Sequence, residues 1–163
     1  MKLKMFLASC LVSLLAIGCV LSSEFHLPEA PQIDKALLGT WHFSDPSTKE
    51  VSIESVTFDR KGVSNRYLLT FRGEVMEEKE KVEVLISNLN NARFLNLAYT
   101  TKEGLTTYDF YRYEVNDNTL KVWGVDQPDE KPQFSSQQEL VNYFLENMDQ
   151  KEFYEKPMLL VKK

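Results

Sequence analysis

The stretch from Leu105 to Val115 (Leu-Thr-Thr-Tyr-Asp-Phe-Tyr-Arg-Tyr-Glu-Val), turned by Asn116-Asp117-Asn118 into Thr119 to Val125 (Thr-Leu-Lys-Val-Trp-Gly-Val), decides the fold. Its side chains repeat with period two, the period of a β-strand. Tyr108, Phe110 and Arg112 share one face, and Tyr111, Tyr113 and Val115 share the other. Three polar turn formers break the pattern, so the two halves read as an antiparallel hairpin. Aromatic side chains on both faces mean that parity alone does not choose the buried one. If the Arg112 face is interior, a cation waits there for an anionic head group or a carboxylate. If the other face is interior, Arg112 lays its stem on packed surface and keeps its charge in water.

The same period runs N-terminally from this hairpin. Arg93 to Thr100 precedes it, joined through Thr101-Lys102-Glu103-Gly104. Before that come Val82, Val84 and Ile86, with a turn at Asn88, Asn90 and Asn91, and the alternating Tyr67, Leu69 and Phe71. The charged run Glu74 to Lys81 reads as a solvated turn with strand ends. Val51 to Asp59 changes phase between Ile53 and Val56, which predicts a bulge near Glu54-Ser55. Asp59-Arg60-Lys61-Gly62 predicts a tight hairpin with Gly62 in the left-handed region. Ala36 to Phe43 is the first strand, with Leu37, Gly39, Trp41 and Phe43 on one face, and Ser44-Asp45-Pro46-Ser47 ends it.

C-terminally the period changes once. Ser136-Gln137-Gln138-Glu139 is a capping box, and Leu140, Val141, Phe144, Leu145 and Met148 form one helical stripe. Pro157 stops any continuation, and Met158 to Val161 reads as a last strand able to pair with the first. Seven strands in succession, one helix and a final strand predict a mainly β fold: a closed eight-stranded antiparallel barrel, helix before the last strand. Closure removes the exposed edges an open sheet would leave. An eight-stranded barrel holds packed side chains or one small ligand.

The N-terminal residues follow other rules. Lys2 and Lys4 are followed by an uncharged, apolar run from Met5 to Gly18. About 14 residues are too few to span a bilayer as a helix, and a basic start before a short apolar core is an export signal. From Val20 to Gln32 the chain has no period and carries Pro28 and Pro31, so it reads as a tether with a solvated His26. Residues 1–18 are thus a signal segment, 19–32 a tether and 33–163 the barrel domain.

Leu15-Ala16-Ile17-Gly18-Cys19 resembles the lipobox of bacterial lipoproteins. That resemblance implies cleavage before Cys19 and acylation of its thiol, a palmitate-bearing anchor in the cell envelope. With Val20 next, it implies the inner leaflet of an outer membrane. Leu7-Ala8-Ser9-Cys10 matches by letters but would leave an apolar run exposed. Cleavage after Ser22, by ordinary secretion, is the rival. Loss of Lys2 and Lys4 with the signal takes the net charge from −5 to −7.

Gly39-Thr40-Trp41 resembles the G-x-W signature of the lipocalins, whose Trp packs across the closed barrel end. The order of strands, helix and terminal strand is similar to that superfamily. Tyr111 to Val115, Leu120 to Trp123 and Glu155 to Leu159 are similar to small uncharacterised bacterial envelope proteins. The arginine that lipocalins carry beyond the helix has no counterpart; Lys162 and Lys163 are the nearby cations. The resemblance implies a small apolar or amphipathic ligand in the barrel, and the aromatic clusters make Trp41, Tyr108, Phe110, Arg112 and Trp123 the candidate binding residues.

Other chemistry finds little support. With His42 the one histidine of the domain and no nucleophile motif, a catalytic triad has no base partnered to a hydroxyl. A zinc site needs several His or Cys ligands, and His42 alone in the domain cannot supply one. No phosphate-cradling glycine motif is present, and the acidic balance does not suit nucleic acid. Once Cys10 leaves and Cys19 is acylated, no thiol remains for redox or nucleophilic work. The expectation is a non-enzymatic protein with no cofactor and no metal. Its partners are the membrane, through the lipid, and a small hydrophobic ligand. The alternative is a filled-core structural module with an envelope protein as partner.

Overall fold

A computed structural model describes residues 19–44, 53–73 and 81–163. The signal segment, Cys10, the turn at 45–47, the start of the second strand at Val51 and most of the charged run 74–81 lie outside the described residues.

Eight strands form the closed barrel: β2 (Gly39–Phe43), β3 (Ile53–Arg60), β4 (Arg66–Gly73), β5 (Lys81–Leu89), β6 (Ala92–Thr100), β7 (Thr106–Asn116), β8 (Thr119–Gly124) and β9 (Met158–Val161). Each pairs antiparallel with the next in sequence. The last strand lies between β8 and β2, with Leu160 opposite both Leu120 and Phe43, and so closes the barrel. A ninth, two-residue strand, β1 (Ser22–Ser23), pairs with β7 at Tyr108 and Asp109, beyond the end of β8. The single helix of the expected layout, α1 (Gln137–Asn147), precedes β9.

Local chemistry accounts for the joints. The register shifts between Ile53 and Ser55, where the change of apolar phase predicts a bulge. Gly62 takes φ +59° in the hairpin after β3. Asn90 and Asp117 also take positive φ, at 51° and 50°, the residue types that tolerate it in tight turns. The first strand is shorter than its alternation suggests. Lys35–Leu37 is a 3-10 turn, because the Asp34 carboxylate caps it by accepting from the Ala36 N–H at 3.1 Å. In the capping box, Ser136 Oγ accepts from Glu139 N–H at 3.2 Å, but Glu139 reaches back to Ser135 N–H rather than to Ser136.

Two cores lie on opposite faces of one wall. Inside the barrel, Trp41, Tyr67, Phe71, Val84, Tyr113 and Leu120 pack with the other inward side chains. Outside it, Phe94 and Phe110 of the wall meet Leu140, Phe144 and Met148 of α1, together with Leu21 and Leu27. The helical stripe is therefore a packing stripe, although Leu145 stays 41% exposed at its margin.

The largest correction concerns residues 20–30. They do not run as a solvated tether but as a strap: Leu21 to Leu27 cover the outer face of the wall, while Val20 and Ala30 at its ends pack against the inner core. Leu21 and Leu27 are fully buried, which stabilises the docked strap by about 1.5–3 kcal/mol for each side chain. Backbone bonds fasten the strap: Leu21 N–H to Val125 O at 2.8 Å and Ala30 N–H to Ile86 O at 2.7 Å. Asn96, fully buried, accepts from Leu27 N–H at 2.9 Å and donates to Ser87 Oγ at 2.9 Å. His26 is half-buried; its Nδ1 donates to Leu27 O at 2.7 Å and its ring meets Tyr108 edge-on at 5.1 Å. The physical reason lies in β5 and β6. Leu85, Ile86 and Leu95 to Leu97 are buried in consecutive positions, so the outer face of this wall needs a cover as much as the inner one.

Candidate functional site

The two ends of the barrel differ. At one end the chain closes on itself. Trp41 is fully buried, donates from Nε1 to Leu37 O at 2.7 Å, and carries Lys162 Nζ 4.6 Å above its ring. Lys162 donates onward to Ala36 O at 3.1 Å. A side chain at Gly39, whose φ is +110°, would meet Lys162 Cε at 3.3 Å, so the glycine leaves the space that the lysine crosses. Beside them the Asp34 carboxylate accepts from Arg93 at 2.7 Å and from Tyr113 OH at 3.0 Å, while Tyr67 OH donates to Asp34 O at 2.8 Å. Burial beside Asp34 pushes the Tyr67 hydroxyl up to about 12 and the Tyr113 hydroxyl higher still.

Toward the other end lies an apolar cavity of about 40 Å³, lined by side chains such as Phe43, Phe71, Leu97, Tyr111, Val122 and Met158. At that end of β7, burial pushes the Asp109 carboxyl up to about 6, with Lys131 pulling the other way. Burial and the neighbouring Asp126 also push Glu155 up. Val20 packs against the barrel interior there, and its Cγ2 and the Glu155 carboxylate flank Gly124, at 3.1 and 2.7 Å from where a Cβ would stand.

A larger space lies outside the wall, a groove of about 450 Å³ between β7–β8 and residues 148–157. Arg112 and Trp123 are cross-strand partners there. The Arg112 guanidinium stacks on Trp123 at 5.7 Å and on Tyr154 at 5.4 Å, and donates to Glu114 at 3.1 Å. The backbone positions Tyr154 by a bridge to Val125, and its hydroxyl donates to Met148 O at 2.9 Å. Lys151 and Lys156 line the exposed margin.

The structure therefore separates the five candidate binding residues. Trp41 is at the closed end, inside. Tyr108 and Phe110 are outside, under the strap and α1, and serve the outer core. Arg112 and Trp123 meet in the outer groove. The inward face of β7 is that of Tyr111 and Tyr113, so Arg112 is not an interior cation. No single ligand contacts all five. Cys19 is exposed, and its carbonyl accepts from Gln127 N–H at 2.7 Å.

Sequence reasoning missed Asp34, Asn96, Tyr154 and Glu155. Tyr154 and Glu155 sit in a stretch without period; Asp34 and Asn96 act through long-range contacts that no local pattern marks. Among the described residues, no three His, Cys, Asp or Glu side chains are placed to hold a metal, and no helix is long and apolar enough to cross a membrane. Compared with models of known protein families, with curated proteins and with solved structures, the chain matches none of them.

Proposed function

We propose that this chain is a lipid-anchored envelope protein, acylated at Cys19, whose non-catalytic barrel acts through its outer surface as an interaction module. The observation that carries the choice between a filled core and a ligand carrier is the cavity. Its volume of about 40 Å³ compares with about 300 Å³ for the smallest ordinary ligand pockets. A cavity of that size supports a barrel interior occupied by its own side chains. The anchor rests on the lipobox resemblance and on the exposure of Cys19.

Two measurements test the proposal. A palmitate analogue supplied to cells making the protein labels the wild type and not Cys19→Ala; an unlabelled wild type removes the anchor. Titration of the folded protein with fatty acids and lysolipids produces no saturable change in tryptophan emission, while crosslinking in membranes returns one reproducible protein partner. The apolar lining of the cavity favours a second reading, in which an apolar chain enters and the lining side chains move apart. Stoichiometric, saturable lipid binding would establish that reading in place of the first.

A further inference from the structure

We infer that the outer groove of Arg112, Trp123 and Tyr154 seats on the head groups of a zwitterionic phospholipid bilayer, so that the barrel stands directly on the membrane. The inference rests on the proposed anchor at Cys19 and adds to it the surface that faces the lipid.

The first argument is the absence of slack. An acyl-bearing Cys19 is joined to the barrel without a free spacer: its carbonyl is bonded to Gln127, Val20 pairs with Asp126, and Leu21 is bonded to Val125. A tether of thirteen extended residues would allow the domain to wander about 45 Å from the bilayer. The docked strap allows almost none of that, so whatever surrounds Cys19 meets the head groups.

The second argument is what surrounds it. Val20 and Glu155 both crowd the space where a side chain at Gly124 would stand, and Glu155 lines the groove, so the groove begins within a residue or two of the anchor. Trp and Tyr rings with Lys and Arg at their margin are the side chains that favour the bilayer interface, apolar body inward and polar tip toward water. The groove offers Arg112, Lys151 and Lys156 to phosphate, and the exposed Glu114 and Asp149 to an ammonium group. That balance suits a head group carrying both charges, and stands out on a mature chain with a net charge of −7, which an anionic surface would repel.

The two tryptophans make the test direct, because they sit at different heights. Through the register of β8, β9 and β2, Thr119 aligns with Val161 and His42, next to Trp41. Trp123 lies further along by about five residues, roughly 15 Å of strand. The mature form that the proposed cleavage leaves, residues 19–163, has Cys19 as its sole thiol. It is coupled through Cys19 to a maleimide head-group lipid in phosphatidylcholine vesicles that also contain phosphatidylcholine with a nitroxide on its head group. Emission that disappears in Trp123→Phe reports Trp123; what remains reports Trp41. The expected result is loss of most Trp123 emission with Trp41 emission retained, and weaker quenching in the double variant Lys151→Glu, Lys156→Glu, whose unchanged circular dichroism shows the fold intact. Unquenched Trp123 on folded, coupled protein overturns the inference, as does quenching of Trp123 that the double charge variant leaves unchanged. Palmitate labelling of Cys19 in cells separates the two failures. A missing label removes the anchor, and with it this orientation; a labelled Cys19 with unquenched Trp123 defeats the orientation alone.

Discussion

Two polar side chains, the buried Asn96 and the half-buried Asp109, carry more structural consequence than their number suggests. Asn96 joins the strap to the wall with three hydrogen bonds, to Leu27 N–H, Leu85 O and Ser87 Oγ. Asn96→Ala leaves Leu27 N–H and Ser87 Oγ without this partner in a buried place, at a cost of about 1–3 kcal/mol. Urea denaturation reads that loss, and faster amide exchange at Leu27 than in the wild type localises it to the strap. Asp109 acts in the opposite sense. Its carboxyl titrates near 6 when folded against an ordinary 3.8, so between those values the native chain holds the extra proton. Stability from this group is complete below the lower value and is lost as pH rises through the upper one. Asp109→Asn is expected to be more stable than wild type at neutral pH by about 1–2 kcal/mol, with the gap closing below about pH 4. Urea midpoints across that range check it, and a gap independent of pH would show that Asp109 is not strained by burial.

At the scale of elements, α1 and the strap do the same work from different chemistry. Phe144 meets Phe94 and Phe110 edge-on at 5.3 and 5.1 Å, and Phe153 at 5.4 Å. Phe144→Ala removes the centre of this cluster and is expected to cost about 3–5 kcal/mol. Because the outer core is distinct from the inner one, the variant keeps its β signal in circular dichroism while α1 exchanges its amides rapidly. The helix, its cap and its stripe were legible in the sequence because they depend on local spacing. So were the barrel strands, their hairpins and the bulge at Ile53–Ser55. The strap was not. Leu21, Phe25 and Leu27 share one parity, but polar residues between them and Pro28 and Pro31 after them hide it, and only Ser22–Ser23 of the strap forms a strand. The clue lay across from it, in the near-continuous apolar runs of β5 and β6, which a one-sided sheet has no use for. The groove was half legible: aromatic alternation marked Arg112 and Trp123, whereas Tyr154 and Glu155 reach it from a segment whose course depends on the docked helix.

For the whole molecule, the question is what an eight-stranded barrel does with its inside. Here the closed end is held by Trp41, Lys162, Asp34, Arg93 and Tyr113, and every barrel strand adds buried side chains to the inner core. A barrel filled as proposed would present its outer surface rigidly, and that surface holds the groove of about 450 Å³. If filling is what keeps guests out, then removing filling must let one in. Phe71 lines the small cavity and is 3% exposed. Phe71→Ala is expected to lose about 3–5 kcal/mol by urea denaturation, because the ring's space collapses only in part. The variant should then bind a ring-sized apolar molecule such as benzene and recover stability in proportion to its concentration, since a ligand that binds only the folded state stabilises it by mass action. The wild type should show no such recovery. Equal stabilisation of both proteins would mean that the native barrel already opens to apolar guests, and the function would then belong to its interior rather than to its outer wall.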